Sequence, residues 1–425
     1  MRRDPIAFFE DAARRYGDVV YYRLGRERVF LLRRPEHVQE VLVTRQHDFA
    51  KGRGLQWARL FLGDGLLTSE PPLHTRQRRL SQPAFHRARI ASYAALMVDH
   101  ASRAGERWGD GAVVDLVPEM SALTLGIAGK ALFDADVEGD AEAIGRSLTA
   151  IMRLFPRFTL PFAELVHRLP LPSNLRFRRA RASLDATIYR LIDERRRSGA
   201  DHGDLLSMLV QARDEEGDGG RMSDVQLRDE LMTLLLAGHE TTANALSWTF
   251  YLLSQHPEAE AALHGELDAV LGGRPPAFED LPLLRRTEAV FAESMRLYPP
   301  APMLGRRAMR DVVIGEYTIP ARAIVLVSPW LTHRDPRLFP DPLRFDPGRW
   351  TPEARAGRAR FAYFPFGGGA RQCIGESFAW MEGTLVLATI ARRWRLRLVT
   401  GHPVVPQALM TLRPRYGMRM VLERR

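Results

Sequence analysis

Cys373 is the only cysteine among 425 residues, and it stands in a glycine-rich loop, FGGGARQCIG, at 366–375. One cysteine cannot close an internal disulfide or build a four-cysteine zinc or iron–sulfur site, so it is an inert thiol, a nucleophile or an axial ligand. A nucleophile needs a histidine base, and no cysteine-protease signature surrounds it. Residues 374–394 read as a helix, which puts Cys373 near a helix N-terminus, where the dipole and unpaired N–H groups favour a thiolate. Arg371 adds positive charge, while Gly367, Gly368, Gly369 and Gly375 let backbone N–H groups approach a sulfur or a flat ligand.

A second polar cluster interrupts an apolar stretch, LLLAGHETTANALSW, at 234–248. Gly238 costs about 1 kcal/mol relative to alanine inside a helix, so its presence implies close approach of something to the backbone. Thr241 can bond back to the Ala237 carbonyl, bending the helix or opening a local bulge. Glu293 and Arg296 in ESMRLYPP lie three apart on one helical face, and His74 and Arg78 in PPLHTRQRRL lie four apart on another.

The spacing of Phe366, Gly369, Arg371, Cys373 and Gly375 is the haem-binding signature of the cytochrome P450 monooxygenases, which this chain resembles. Five fixed positions match by chance about once in ten thousand chains of this length. Ala370 stands where the family often has proline, a difference expected to change little. The resemblance implies a mainly α fold with small β-sheets (α+β), a long central helix over haem b (iron protoporphyrin IX) and a cysteine-ligand loop beneath it. It implies that Cys373 ligates the iron and that hydrogen bonds to its sulfur set the electron donation. It places Ala237, Gly238, Phe366 and Gly375 against the cofactor, and gives Glu240 and Thr241 the delivery of protons to dioxygen bound there. His239 receives no role. Glu293 and Arg296, with Arg349 from FDPGRW, are expected to form a buried ionic triad that serves assembly more than net stability. His74, Arg78, Arg306 and Arg371 match positions that hold the haem propionates, a task suited to arginine's planar fork. Arg307 competes with Arg306 for this role.

The same resemblance lines the substrate pocket with Trp57, Leu60, Phe61 and Leu62, the segment 154–162, Leu236 and Ala237, Ala301 to Leu304 including Met303, and Leu409 with Met410. These are almost all apolar, which favours a lipophilic substrate. The AGHETT and RLYPP forms point to fatty acids, carotenoids or large terpenoids. Electrons from NAD(P)H are expected through a separate ferredoxin or flavodoxin with its reductase, because the chain has neither cysteines for an iron–sulfur domain nor length for a flavin domain. The alternatives are a peroxide-driven peroxygenase, which has no need of the Glu240–Thr241 pair, and a non-catalytic haem-thiolate sensor or ligand carrier.

The elements that must carry these residues are legible in outline. Residues 18–43 read as two short strands and a helix, and about 74 to 270 as helical, punctuated by prolines. Ser223 with Gln226 forms a capping box before the longest helix, His256-Pro257 ends it, and its length is roughly 50 Å. After about 302 the chain reads as strand-like and proline-rich, returning to helix only after Cys373. The scattered site residues fit one single domain over 1–425. The net charge of +10 comes almost wholly from arginine, Lys51 and Lys130 being the only lysines. Basic residues are spread along the chain rather than clustered with aromatics, which argues against nucleic acid, and part of the excess suits docking of an acidic electron carrier. No apolar run approaches a membrane span and no export signal opens the chain, so a cytoplasmic monomer is expected.

Overall fold

Ser223 and Gln226 exchange the two bonds of a capping box: Ser223 N–H donates to Gln226 Oε1 at 3.0 Å, and Gln226 N–H donates to Ser223 Oγ at 3.3 Å. The central helix that follows, Asp224–Gln255, is 32 residues long, and Pro257 opens the next helix, Pro257–Leu271. In the computed structural model, which describes residues 4–134, 169, 171–214, 217 and 219–425, this helix is regular throughout. Of the two distortions expected at Thr241, a bend or a local bulge, the bulge is absent. A back-bonding threonine strains a helix only slightly, and the buried Leu235, Leu236, Ala243, Ala245 and Leu246 hold the flanking turns in place.

The described residues form two compact units, and the division falls inside the central helix. The first comprises Met1–Arg53, Ala94–Ser121 and Thr241–Arg425. It contains a five-stranded sheet in the order Val19–Leu24, Glu27–Leu32, Ile324–Val327, Leu304–Ala308, Phe49–Lys51. Glu27–Leu32 runs parallel to Ile324–Val327, and the other pairings are antiparallel. Its core joins Phe30, Leu32, Leu42, Phe49, Val325 and Val327 to Phe361 and Phe364, so the chain just before the cysteine loop is moored in the sheet. Each such side chain contributes about 1.5–3 kcal/mol on burial. The helix after the cysteine, Glu376–Ala391, is buried on every side from Met381 to Ala391, as a helix inside a core must be.

The second unit comprises Gly54–Tyr93 and Ala122–Glu240. Its helices are tied by buried arginines. Arg228 donates to Asp185 at 2.7 Å, to Asp229 at 2.8 Å and to the Phe61 carbonyl at 3.0 Å. Arg195 donates to Asp204 at 2.6 Å and to the Phe133 carbonyl at 3.0 Å.

Three further sequence expectations need correction. The region read as helical contains a strand, Val113–Asp115, which pairs with Arg419–Arg424 and through it with Trp394–Leu398. Three residues are too few to display a period of two, and only the distant partner makes them a strand. Helix also returns before Cys373, in two single turns, Pro329–Thr332 and Pro352–Ala356. Each has proline at its start and a hydroxyl cap, Ser328 Oγ accepting from Leu331 N–H and Thr351 Oγ1 from Ala354 N–H. Finally, one helix, Leu116–Phe133, is long and apolar enough to cross a membrane by length and composition alone. It is 61% buried inside the fold, so its apolar surface serves as core.

Candidate functional site

The cysteine loop is a closed turn in the first unit. Gly367 N–H donates to the Phe364 carbonyl, Gln372 N–H to Gly369 and Cys373 N–H to Phe366, each at 3.0 Å. Gly369 has a φ of +72°, and a side chain there would collide with the Leu42 carbonyl oxygen; a Cβ at Gly368 would lie 2.7 Å from the Phe361 ring. These two glycines thus admit the protein's own sheet core. Cys373 is exposed, three residues ahead of Glu376, and Gly375 caps the helix with no side chain. The positive end of the helix dipole at the loop favours a thiolate, as does half-buried Arg371. The Phe366 ring packs 5.8 Å from Trp380, which meets Phe291 edge-on at 5.8 Å.

The triad residues meet in the same unit. Arg296 donates to both oxygens of Glu293, from Nε and from Nη2, at 2.8 Å each, and Arg349 Nε lies 3.4 Å from Glu293 Oε1. Sequence reasoning missed the rest of the network. Trp350 Nε1 and Asp346 N–H also donate to Glu293, each at 2.9 Å. Arg296 reaches the carbonyls of His333, Pro342 and Arg344 at 2.7–3.1 Å. His333 links this network to the cysteine loop, because its Nε2 accepts from Phe364 N–H at 3.0 Å. Burial holds His333 well below the ordinary histidine range, so that nitrogen keeps its lone pair. Its only trace in the sequence is a histidine in a proline-rich run.

Alternation along strand Leu304–Ala308 separates the two competing arginines. Arg307 turns toward Glu27, 3.9 Å away, whereas Arg306 is buried. Directly opposite Arg306 in the antiparallel register stands Lys51, also buried, so two cations share one face of the sheet. Lys51 was not singled out by sequence, since only the register brings it there.

On the central helix, Leu234, Ala237, Gly238 and Thr241 form a half-buried stripe between fully buried neighbours, and Glu240 is half-buried beside it. His239 is buried, with Nδ1 2.9 Å from the Leu235 carbonyl; burial lowers its pKa, and it stays neutral. Thr124, another residue missed, donates to the His239 carbonyl at 2.9 Å. In the second unit, His74 is buried and Arg78 half-buried on helix Leu73–Ser81, with Gln77 between them bonded to Ser69 at 2.6 Å. In the first unit, Glu382 is completely buried near Thr242, and burial pushes its carboxyl up to about 8 while Thr242 pulls it down.

Of the residues expected to line a pocket, Trp57, Met303, Leu304, Leu409 and Met410 are half-buried, whereas Phe61 and Leu236 are fully buried. The segment 154–162 lies outside the described residues. Within the first unit the central helix grips the hairpin that carries Met410. Asn244 Nδ2 donates to Thr411 Oγ1 at 3.3 Å, and one turn later Trp248 Nε1 donates to the Leu412 carbonyl at 3.1 Å.

The family described as Cytochrome P450 matches residues 2–419. Cyclooctatin synthase of Streptomyces melanosporofaciens is 44% identical over 97% of this chain and 90% of its own length. Cyclooctat-9-en-7-ol 5-monooxygenase of the same organism is 41% identical over 94% of this chain and 86% of its own. A solved structure described as the cytochrome P450DA haem domain superposes with a TM-score of 0.89 at 27% identity, covering 99% of this chain and 93% of that one. The chain belongs to the cytochrome P450 family and is a P450 monooxygenase, an oxidoreductase, with the P450 fold. Membership implies a haem. The residues fit it: a single exposed thiol at a helix N-terminus offers a soft ligand, and the facing Lys51 and Arg306 suit an anionic group such as a haem carboxylate.

Proposed function

We propose that Cys373 would hold the haem iron as its thiolate ligand, and that the protein oxygenates a lipophilic, terpenoid-like ring compound. The carrying observation is the exposed Cys373 thiol in its closed turn at the start of Glu376–Ala391. Phe366, Arg371, Gly375 and Arg306, with Ala237, Gly238, His74 and Arg78, are assigned to the cofactor by family position. The burial of Arg306, against the turning of Arg307 to Glu27, favours Arg306 for a propionate. A haem bound there would supply the activation of dioxygen, one oxygen atom going to the substrate and the other to water with two electrons and two protons.

This chain's residues prepare that reaction. Glu240 and Thr241 hand protons inward from their half-buried positions on the helix. Glu382 holds its proton near Thr242 at neutral pH. Glu293, Arg296 and Arg349 keep the segment before the cysteine loop in register through His333. Trp57, Phe61 and Leu236 of the second unit, and Met303, Leu304 and Met410 of the first, are assigned to the substrate by family position, and their apolar character favours a lipophilic one. The ring alkenol in the name of one relative supports a cyclic terpenoid over a fatty acid or carotenoid. Electrons reach the site from NAD(P)H through a separate ferredoxin or flavodoxin system. The family match across 2–419 supports a single domain, and we read the protein as a cytoplasmic monomer.

The test is spectroscopic. The reduced carbonyl complex is expected to show the strongly red-shifted Soret band of thiolate ligation, and Cys373→Ser to lose it. Titration of the ferric protein with cyclic terpenoid alcohols should convert low spin to high spin saturably. A red-shifted band surviving in Cys373→Ser overturns the ligand assignment, and a spin shift only with linear fatty acids overturns the substrate class.

A further inference from the structure

Ala370 differs from the proline expected at its position in having an N–H, and the structure uses it. Ala370 N–H donates to Gln46 Oε1 at 2.7 Å, a bond that proline cannot make. Gln46 opens the 3₁₀ turn Gln46–Asp48, which follows the π-type turn Glu40–Thr44 and leads into strand Phe49–Lys51. That stretch is anchored at both ends, since Val41, Leu42 and Phe49 belong to the sheet core. Gly369 makes the second half of the seat, because only without a Cβ does the loop settle on the Leu42 carbonyl. The seated turn, Gly369–Arg371, leads directly to Cys373 through the Gln372-to-Gly369 bond of 3.0 Å.

We propose that Gln46 is a positioning residue for the cysteine loop: by accepting from Ala370 N–H it fixes the turn just ahead of Cys373 and keeps the thiolate available as axial ligand. The proposal rests on the haem-thiolate reading above. The alanine at 370, neutral by sequence, thereby exchanges the local rigidity of proline for a tether to a turn 324 positions away.

The test uses the full-length haem-loaded protein, reduced under carbon monoxide, in a fixed mild urea concentration. The rate at which the red-shifted thiolate band gives way to the neutral-thiol band is followed, with far-ultraviolet dichroism recorded in parallel. Gln46→Ala and Ala370→Pro are each expected to speed that conversion about three- to tenfold, the worth of one hydrogen bond. The double variant is expected to be no faster than either single one, because both remove the same bond. Gln46→Glu keeps an acceptor and is expected to hold the wild-type rate. A wild-type rate in Gln46→Ala, multiplying effects in the double variant, or a dichroism signal lost in step with the band each overturns the proposal. A wild-type protein with no thiolate band overturns the haem-thiolate reading and this inference with it, whereas an intact band unmoved in Gln46→Ala overturns this inference alone.

Discussion

Two glutamates of the first unit are equally buried, and their surroundings make opposite use of them. Glu293 receives both arms of Arg296, the Trp350 indole and the Asp346 N–H, with Arg349 nearby. Glu382 meets none of this: neither of its oxygens makes a well-formed hydrogen bond, and Thr242 is the polar side chain acting on it. Burial alone therefore does not determine what a carboxyl does. Donors make Glu293 the acceptor that organises three segments, while their scarcity lets burial push the Glu382 carboxyl up to about 8, near the helix residue next to Thr241.

The largest expected effect is at Glu293. Glu293→Ala leaves the Arg296 guanidinium in a dry site without its anion, which costs about 3–5 kcal/mol. Little haem-loaded protein should be recovered, measured as haem per chain and urea midpoint; normal loading would mean that the network is ornamental. Next is Glu382, through pH. The native carboxyl keeps its proton to about 8, against an ordinary 4.5 in the unfolded chain. Between those values the native state binds more protons, so stability falls as pH rises through the window, by a few kcal/mol in all. Glu382→Gln should flatten that slope in urea melts from pH 5 to 8, and an unchanged slope would place the titration elsewhere. Trp350→Phe keeps the ring and removes one donor from Glu293, for an expected loss of about 1.5–3 kcal/mol in the same melts. The smallest effect is that of Thr242→Val. It removes the group favouring the charged form, so the pH midpoint of Glu382 should move up by roughly half a unit; a downward move would break the assignment.

The parts of the site that were legible in the sequence are those built from near neighbours. Ser223 and Gln226, three residues apart, announced the start of the central helix, and Glu293 with Arg296 announced a helical pair. The cysteine loop is a ten-residue pattern. The partners that complete these motifs come from far along the chain: Trp350 is 57 residues from Glu293, and His333 is 31 from Phe364. Gly368 and Gly369 also make room for Phe361 and Leu42, which the loop pattern does not announce.

From the sequence alone came the candidates: one thiol, its helix, an acid and an alcohol side by side, and, through the family resemblance, arginines for a haem. Residue types and short-range spacing carry the first of these, and the matched family positions carry the arginines. Only the tertiary structure decided that Arg306 and not Arg307 is buried, that Lys51 faces it, that Gln46 accepts from the Ala370 N–H, and that burial raises the Glu382 carboxyl. Strand register, burial and donor count are set by segments hundreds of residues apart, and each depends on which groups water no longer reaches.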